Sequence, residues 1–205
     1  MTRLQRIGLI ASVALVFSAL GGYLAVTMMP NNDGETLYSS LVGGPFQLTS
    51  HTGETVTHED LRGKPFAMFF GFTHCPDVCP TSMYELSTLI EKLGPDADKM
   101  RYVFVSVDPE RDTPELLKDY MSHFDKRLVA LVGTPAQTKA IAQAYRVVYE
   151  KVETSSGYTL NHTATIYVMD EKGRLANTLA YGENMDTRLQ KLRRVIERSG
   201  QNATG

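Results

Sequence analysis

The order of apolar and polar positions divides the chain from residue 46 onward into alternating strand-like and helix-like segments. A continuous apolar run, typical of a strand buried on both faces of a sheet, lies at 66–72, and largely apolar segments at 102–107, 128–132 and 164–169 also predict strands. Apolar residues at helical spacing lie at 81–93, 114–124, 135–146 and 186–198. Two of these helices follow a Thr-Pro pair, which is a helix start signal. The pattern predicts an α/β domain.

Two hairpins frame this alternation. Short strands at 46–48 and 55–57 flank the first turn, and a turn at 170–173 leads into a last strand at 175–181. The predicted order is β-β-β-α-β-α-β-α-β-β-α, and such alternation favours a mainly parallel sheet covered on both faces. We expect an α/β, thioredoxin-like fold with an N-terminal hairpin and an extra C-terminal hairpin.

The first thirty residues have a different pattern. Arg3 and Arg6 precede an uncharged apolar run at 7–29, which as a helix would span roughly 35 Å and could cross a bilayer. A cleaved signal peptide is the alternative, because 19–21 is an acceptable cleavage site. The run continues past that site, so we favour one transmembrane helix. Either interpretation exports the rest of the chain.

These signals divide the chain into four parts. We expect a membrane anchor or signal sequence at 1–29, a linker at 30–45, one folded domain at 46–198 and a short tail at 199–205.

Composition narrows the function. The chain has 205 residues and a formal net charge of −2, so it lacks the basic character of a nucleic-acid-binding protein. Its 2 cysteines are too few for a disulfide-dense scaffold or a four-cysteine zinc module. Three uses remain for the two cysteines: one structural disulfide, one redox pair, or part of a metal site.

The two cysteines lie where an α/β sheet binds ligands. Cys75 and Cys79 follow the apolar strand at 66–72 and come just before or within the first turn of the next helix. A disulfide between them would close a very short loop and stabilise little. Three intervening residues suit a soft metal better than the usual two-residue spacing of a redox pair. Cu(I) accepts two or three soft ligands, whereas zinc requires four.

A third ligand would have to come from the five histidines. His51, His58, His74 and His123 have the character of ordinary polar residues. His162 directly precedes the apolar strand at 164–169, and taken alone it is also more typical of a polar strand-edge residue than of a ligand.

Three motifs resemble the Sco/SenC family, which comprises membrane-anchored copper proteins of the thioredoxin superfamily. They are GFTHCPDVCPTSM at 71–83, VDPERDTP at 107–114 and NHT at 161–163, and the resemblance runs from 46 to 198. It implies that Cys75, Cys79 and His162 bind Cu(I) or Cu(II). It also implies delivery of copper or electrons to the binuclear copper centre of cytochrome c oxidase subunit II, or to another copper protein.

Three residues near the expected copper ligands could influence how the metal is bound. Asp77 lies between the two cysteines and Asp108 ends the neighbouring strand, so both could influence the metal from outside its ligand set. Asn161 stands where the family commonly has Asp, which removes a negative charge beside His162. We expect a metallochaperone without enzymatic activity, in the bacterial inner membrane with its soluble domain in the periplasm.

Other functions use the same residues. Cys75 and Cys79 could form a redox disulfide in a thiol–disulfide oxidoreductase that reduces the cysteines of the recipient. In an oxidising compartment they would themselves need a thiol reductant protein as a partner. A protein that senses copper without delivering it is a further alternative. A peroxidase is disfavoured, because Pro76 and Phe72 stand where a threonine would precede the reactive cysteine.

Overall fold

The computed structural model describes residues 41–155 and 157–202. The transmembrane helix predicted at 7–29 lies outside the described residues. Within them, no helix is long and apolar enough to cross a membrane.

The described part alternates strands and helices in the order that the sequence predicts, with one addition. The strands are β1 (Gln47–Ser50), β2 (Thr55–Thr57), β3 (Phe66–Gly71), β4 (Arg101–Ser106), β5 (Leu128–Val132), β6 (Tyr149–Thr154), β7 (Gly157–His162), β8 (Ile166–Met169) and β9 (Leu175–Leu179). The helices are α1 (Val78–Leu93), α2 (Pro114–Met121), α3 (Pro135–Ala144) and α4 (Met185–Asn202), with a short 3-10 helix at Gly94–Lys99.

Seven of the described strands form the main sheet in the order β2-β1-β5-β4-β3-β8-β9. Among them the parallel pairs are β3–β4 and β4–β5, so β4 is the strand with parallel neighbours on both sides. The expectation of a mainly parallel sheet is therefore wrong. Both predicted hairpins add their strands antiparallel, β1 beside β5 and β8 beside β3, so the parallel part is confined to the centre.

The central strand β3 leads to the two cysteines. All six of its residues are buried, which requires cover on both faces of the sheet. Helix α1 is the next element after β3 and begins at Val78, three residues earlier than the spacing of apolar residues predicts. Pro80 is tolerated there because backbone N–H groups in the first turn have no helical partner. Cys79 consequently lies inside the first turn.

The sequence analysis missed one hairpin. Strands β6 and β7 pair only with each other and form a separate two-stranded sheet. Among their described side chains only Leu160 is buried, so no alternation of apolar and polar residues marks them. His162 is the last residue of β7, whereas the sequence placed it in a segment just ahead of the next strand.

Candidate metal centre

The end of β3 makes room for a thiol. Gly71 is the last residue of that strand, and a Cβ added there would lie 2.9 Å from each of Cys79 Sγ, Phe104 Cε2 and Phe69 Cε1. Any larger residue would push into the space that the Cys79 sulfur occupies. Gly71 thus allows Cys79 to lie directly over the end of the sheet.

The two cysteines and His162 come together at this point. Both cysteines are free thiols, Cys79 buried and Cys75 partly exposed. Their sulfurs and a ring nitrogen of His162 all lie within 4.8 Å of one another. Cys79 Sγ is 3.3 Å from His162 Nε2, and the Cys79 backbone N–H donates to Cys75 Sγ at 3.4 Å. The three donor atoms can therefore bind one metal ion.

The ring of His162 has a defined orientation. It packs edge-on against Phe69 and Phe72, with centroid distances of 5.9 and 5.7 Å. Its Nδ1 lies 3.1 Å from the backbone carbonyl oxygen of Thr163. Because a carbonyl oxygen only accepts, Nδ1 donates to it, and Nε2 is the ring nitrogen that faces the thiols.

The two thiols differ strongly in acidity. A hydrogen bond from Cys79 lowers the pKa of Cys75 to about 3. Burial opposes this shift, and hydrogen bonds from His162 and from the backbone N–H groups of Asp77 and Cys79 add to it. The same bond to Cys75, together with burial, raises the pKa of Cys79 above its ordinary value. The reduced site thus holds one thiolate and one thiol.

The two predicted outer aspartates lie in different surroundings. The side chain of Asp77 is exposed and accepts from Thr81 Oγ1 at 3.4 Å, while its backbone faces the Cys75 sulfur. Asp108 is buried, but its carboxylate binds the Arg111 guanidinium and the Tyr158 hydroxyl, the latter at 2.8 Å.

A residue that sequence reasoning overlooked supports the cysteine loop. Asp112 is buried and accepts from Ser106 Oγ at 2.6 Å and from the Thr73 backbone and hydroxyl at 3.2 and 2.6 Å. His74, Asp108 and Asp112 form a second group of oxygen and nitrogen atoms within 4.8 Å. The carboxylates of this group are already engaged in hydrogen bonds. The string at 107–114 was the signal that could have pointed to Asp112.

Comparison with known proteins identifies the family. The sequence model of SCO1/SenC matches residues 34–197, most of the chain. The chain belongs to the SCO1/SenC family. Family membership confirms the resemblance seen in the motifs, and it confirms the mixed α/β, thioredoxin-like fold.

Relatives of this SCO1/SenC chain occur in bacteria and mitochondria. Protein SenC of Rhodobacter capsulatus is 35% identical over 172 residues, covering 80% of this chain and 78% of SenC. The yeast mitochondrial protein SCO2 is 35% identical over 170 residues, covering 80% of this chain but 56% of SCO2. The chain spans about half the length of such mitochondrial relatives.

A solved structure gives a comparison in three dimensions. The copper-bound structure of Bradyrhizobium japonicum ScoI is 47% identical, with a TM-score of 0.71, and covers 75% of this chain and 99% of ScoI. Copper is therefore present in a solved structure of a homologous Sco protein. In this SCO1/SenC chain, Cys75, Cys79 and His162 form a group that can bind a metal ion.

Proposed function

We propose that this protein is a copper chaperone that carries Cu(I) or Cu(II) as cargo on Cys75, Cys79 and His162. The observation that carries the proposal is the convergence of two sulfurs and one imidazole nitrogen within 4.8 Å. Two thiolates and one imidazole suit a soft, low-coordinate ion such as Cu(I). The copper-bound state of the Bradyrhizobium ScoI relative supports the choice of metal.

The residues provide a route for loading. The thiolate of Cys75 is already formed and partly exposed, so it meets the incoming ion first. Cys79 must lose its proton when it becomes a ligand, whereas the Cys75 thiolate has none left to lose. Loading should therefore release about one proton per copper ion at neutral pH.

Release would use the open side of the site. A cleft of about 250 Å³ beside the ligands is lined by Cys75, Pro76, Asn161 and His162, among others. A thiolate of the recipient can enter there and replace the ligands of this chain one at a time. Ligand exchange keeps the ion bound throughout, so no free copper has to form.

The recipient and the location belong to the same proposal. We infer delivery to the binuclear copper centre of cytochrome c oxidase subunit II, or to another copper protein, from the family membership. The uncharged run at 7–29 after two arginines supports an anchor in the bacterial inner membrane with the folded domain in the periplasm. An oxidising periplasm would also require a thiol reductant protein to keep Cys75 and Cys79 reduced.

The difference in acidity between the two thiols favours a second candidate function, reduction of a disulfide in the recipient. The Cys75 thiolate would attack one sulfur of that disulfide, forming a mixed disulfide and releasing the other sulfur as a thiolate. Cys79 would then lose its proton, displace the recipient and close the Cys75–Cys79 disulfide. Two electrons pass to the recipient in this sequence.

Substitution of His162 separates the two functions. We expect the purified, reduced full chain to bind one copper ion, with a sulfur-to-copper charge-transfer band for Cu(II). His162→Ala should weaken Cu(II) binding by at least about tenfold, because a ligand is lost, while both thiols still react with a thiol reagent. Absorption and EPR spectra during titration measure this.

The matched control is His123→Ala, since His123 is exposed and lies just after α2. It should bind copper as the unaltered chain does. Equal affinities for His162→Ala and the unaltered chain would overturn the assignment of His162. A chain that binds no copper but cycles its disulfide readily would support the reductase instead.

A further inference from the structure

The segment between β4 and α2 contacts both parts of the chain that carry the ligands. On one side, Asp112 binds Thr73 in the loop that leads to Cys75. On the other side, Asp108 and Arg111 bind the β6–β7 hairpin, whose last residue is His162. One short segment of five residues therefore touches both the thiol side and the imidazole side of the site.

Tyr158 is the point at which the hairpin is held. Arg111 Nη1 donates to the Tyr158 carbonyl oxygen at 2.9 Å, and the Arg111 guanidinium carbon lies 3.7 Å from the centre of the Tyr158 ring. The Tyr158 hydroxyl donates to Asp108 Oδ1 at 2.8 Å. Asp108 also accepts from Arg111 Nε, so these three side chains bind each other in a closed set.

A second cation also contacts the Tyr158 ring. Lys151 Nζ lies 3.8 Å from the centre of the Tyr158 ring and 2.9 Å from the Glu110 carboxylate. The ring is thus in contact with two cations, one from the segment after β4 and one from β6. Cation–π contacts of this kind are weak singly but directional, which suits them to fixing an orientation.

Tyr158 and His162 lie on the same face of β7. Side chains in a strand alternate between two faces, so residues 158, 160 and 162 point to one side. Leu160, between them, is buried, whereas the neighbouring Asn161 is exposed. A contact that holds Tyr158 down therefore holds the inner face of β7, and His162 with it, toward the thiols.

Phe72 provides a second, shorter connection. Its ring packs edge-on against the His162 ring at 5.7 Å, and the Arg111 guanidinium carbon lies 5.8 Å from its centre. Arg111 is therefore packed against a ring that contacts the ligand directly. Elsewhere the hairpin is attached through Leu160, its one buried residue among the described side chains, and through Tyr149, which is partly buried against the core.

We propose that Asp108, Arg111 and Tyr158 form a positioning unit that holds His162 beside the two thiols. This inference rests on the proposed function, since it concerns how the third copper ligand is kept in place. The apparent affinity of a site falls in proportion to the fraction of molecules in which the site is complete. Loosening the unit should therefore weaken binding through His162 while leaving binding by the two cysteines intact.

The test compares Arg111→Ala and Tyr158→Ala with the unaltered chain and with His162→Ala. We expect Cu(II) affinity to fall about tenfold in each positioning variant, the scale seen when groups that orient a metal ligand are removed. Amide hydrogen exchange at 149–162 should become faster in the metal-free protein, while Cys75 still reacts with a thiol reagent. Arg111→Lys, which retains the charge beside Asp108, should recover part of the affinity.

A double-variant cycle distinguishes positioning of His162 from general damage. Arg111→Ala made in the His162→Ala chain should cause no further loss of affinity, because its effect acts through a ligand that is already missing. The matched control is Arg174→Ala, which breaks an Arg–Asp pair of the same type in the turn after β8. That control should retain full affinity.

Each result has a separate meaning. Unchanged affinity in Arg111→Ala and Tyr158→Ala, or an equal further loss in the His162→Ala background, would overturn the positioning unit while leaving the copper site standing. If the unaltered chain binds no copper, the proposed function fails. The positioning unit is then judged by hydrogen exchange alone: unchanged exchange at 149–162 would overturn it too.

Discussion

Gly71 and Cys79 depend on each other. Gly71, the last residue of β3, has no side chain, and the Cys79 sulfur fills the space beside it. Three heavy atoms lie 2.9 Å from the position that a Cβ of residue 71 would take. Two of these atoms belong to the rings of Phe69 and Phe104, which are completely buried, so they have little freedom to move away. A residue without a side chain therefore decides where the Cys79 sulfur lies.

We expect Gly71→Ala to damage stability and site together. The added methyl group should cost about 2 kcal/mol of unfolding free energy, as overpacking does in other cores, and should displace Cys79 Sγ. Urea unfolding and copper titration measure the two effects. Gly200→Ala is the matched control, because nothing lies within 4 Å of a Cβ at that helical position. Equal stability of the two variants would contradict the packing argument.

The unequal acidity of the thiols gives a prediction for the reduced, metal-free protein. Since the pKa of Cys75 is lowered to about 3, its thiolate exists above that pH and is lost only as the pH falls through it. Iodoacetamide should therefore modify Cys75 even at about pH 5, where an ordinary thiol is protonated. Cys79, buried and with a raised pKa, should stay unmodified. Mass spectrometry of peptides identifies the modified residue.

The unfolded protein serves as the control for that experiment. In urea both cysteines should lose reactivity together once the pH falls below about 8.5, the ordinary thiol pKa. A folded protein whose Cys75 follows this same curve would contradict the hydrogen-bonded thiolate.

At the scale of elements, buried segments were predictable and the exposed hairpin was not. Strand β5 lies where its apolar run predicts, and β3 differs by one residue, because continuous burial leaves a continuous apolar sequence. Strands β6 and β7 bury only Leu160 among their described side chains, so nothing in their polarity marks them. The start of α1 was placed late because its first turn holds Cys79 and Pro80 rather than periodic apolar residues.

Helices α1 and α4 are joined by an ion pair that sequence periodicity does not reveal. Arg188 of α4 is 1% exposed, and its Nη1 lies 2.6 Å from Glu85 Oε2 on α1. Glu85→Gln should destabilise the protein by about 2 kcal/mol, because it leaves a buried guanidinium without a charged partner. Urea unfolding measures the change.

Two variants refine this prediction. Glu91→Gln, at an exposed position of the same helix, should change stability by less than about 0.5 kcal/mol. Arg188→Met should cost less than Glu85→Gln, since removing the buried charge itself avoids the penalty of leaving it unpaired. A Glu85→Gln variant as stable as Glu91→Gln would show that water reaches the guanidinium.

For the whole molecule, the sequence predicted the fold class and the residues of the site, but not how they are held together. The cysteine motif and the segment at 107–114 identified the family, and the structure brings Cys75, Cys79 and His162 to one point. Their role as copper ligands stays a prediction. The bonds of Asp112 to Thr73 and of Arg111 to Tyr158 join segments far apart in the chain, which local patterns cannot reveal.

The separate β6–β7 sheet has a consequence for how such a protein can change over generations. Most of its residues contribute nothing to the buried core, so substitutions there leave the stability of the main sheet largely intact. Yet the same strands carry His162 at their end. Natural selection can therefore adjust how firmly His162 is held beside the two cysteines by altering one hairpin, without risking the folding of the domain that bears it.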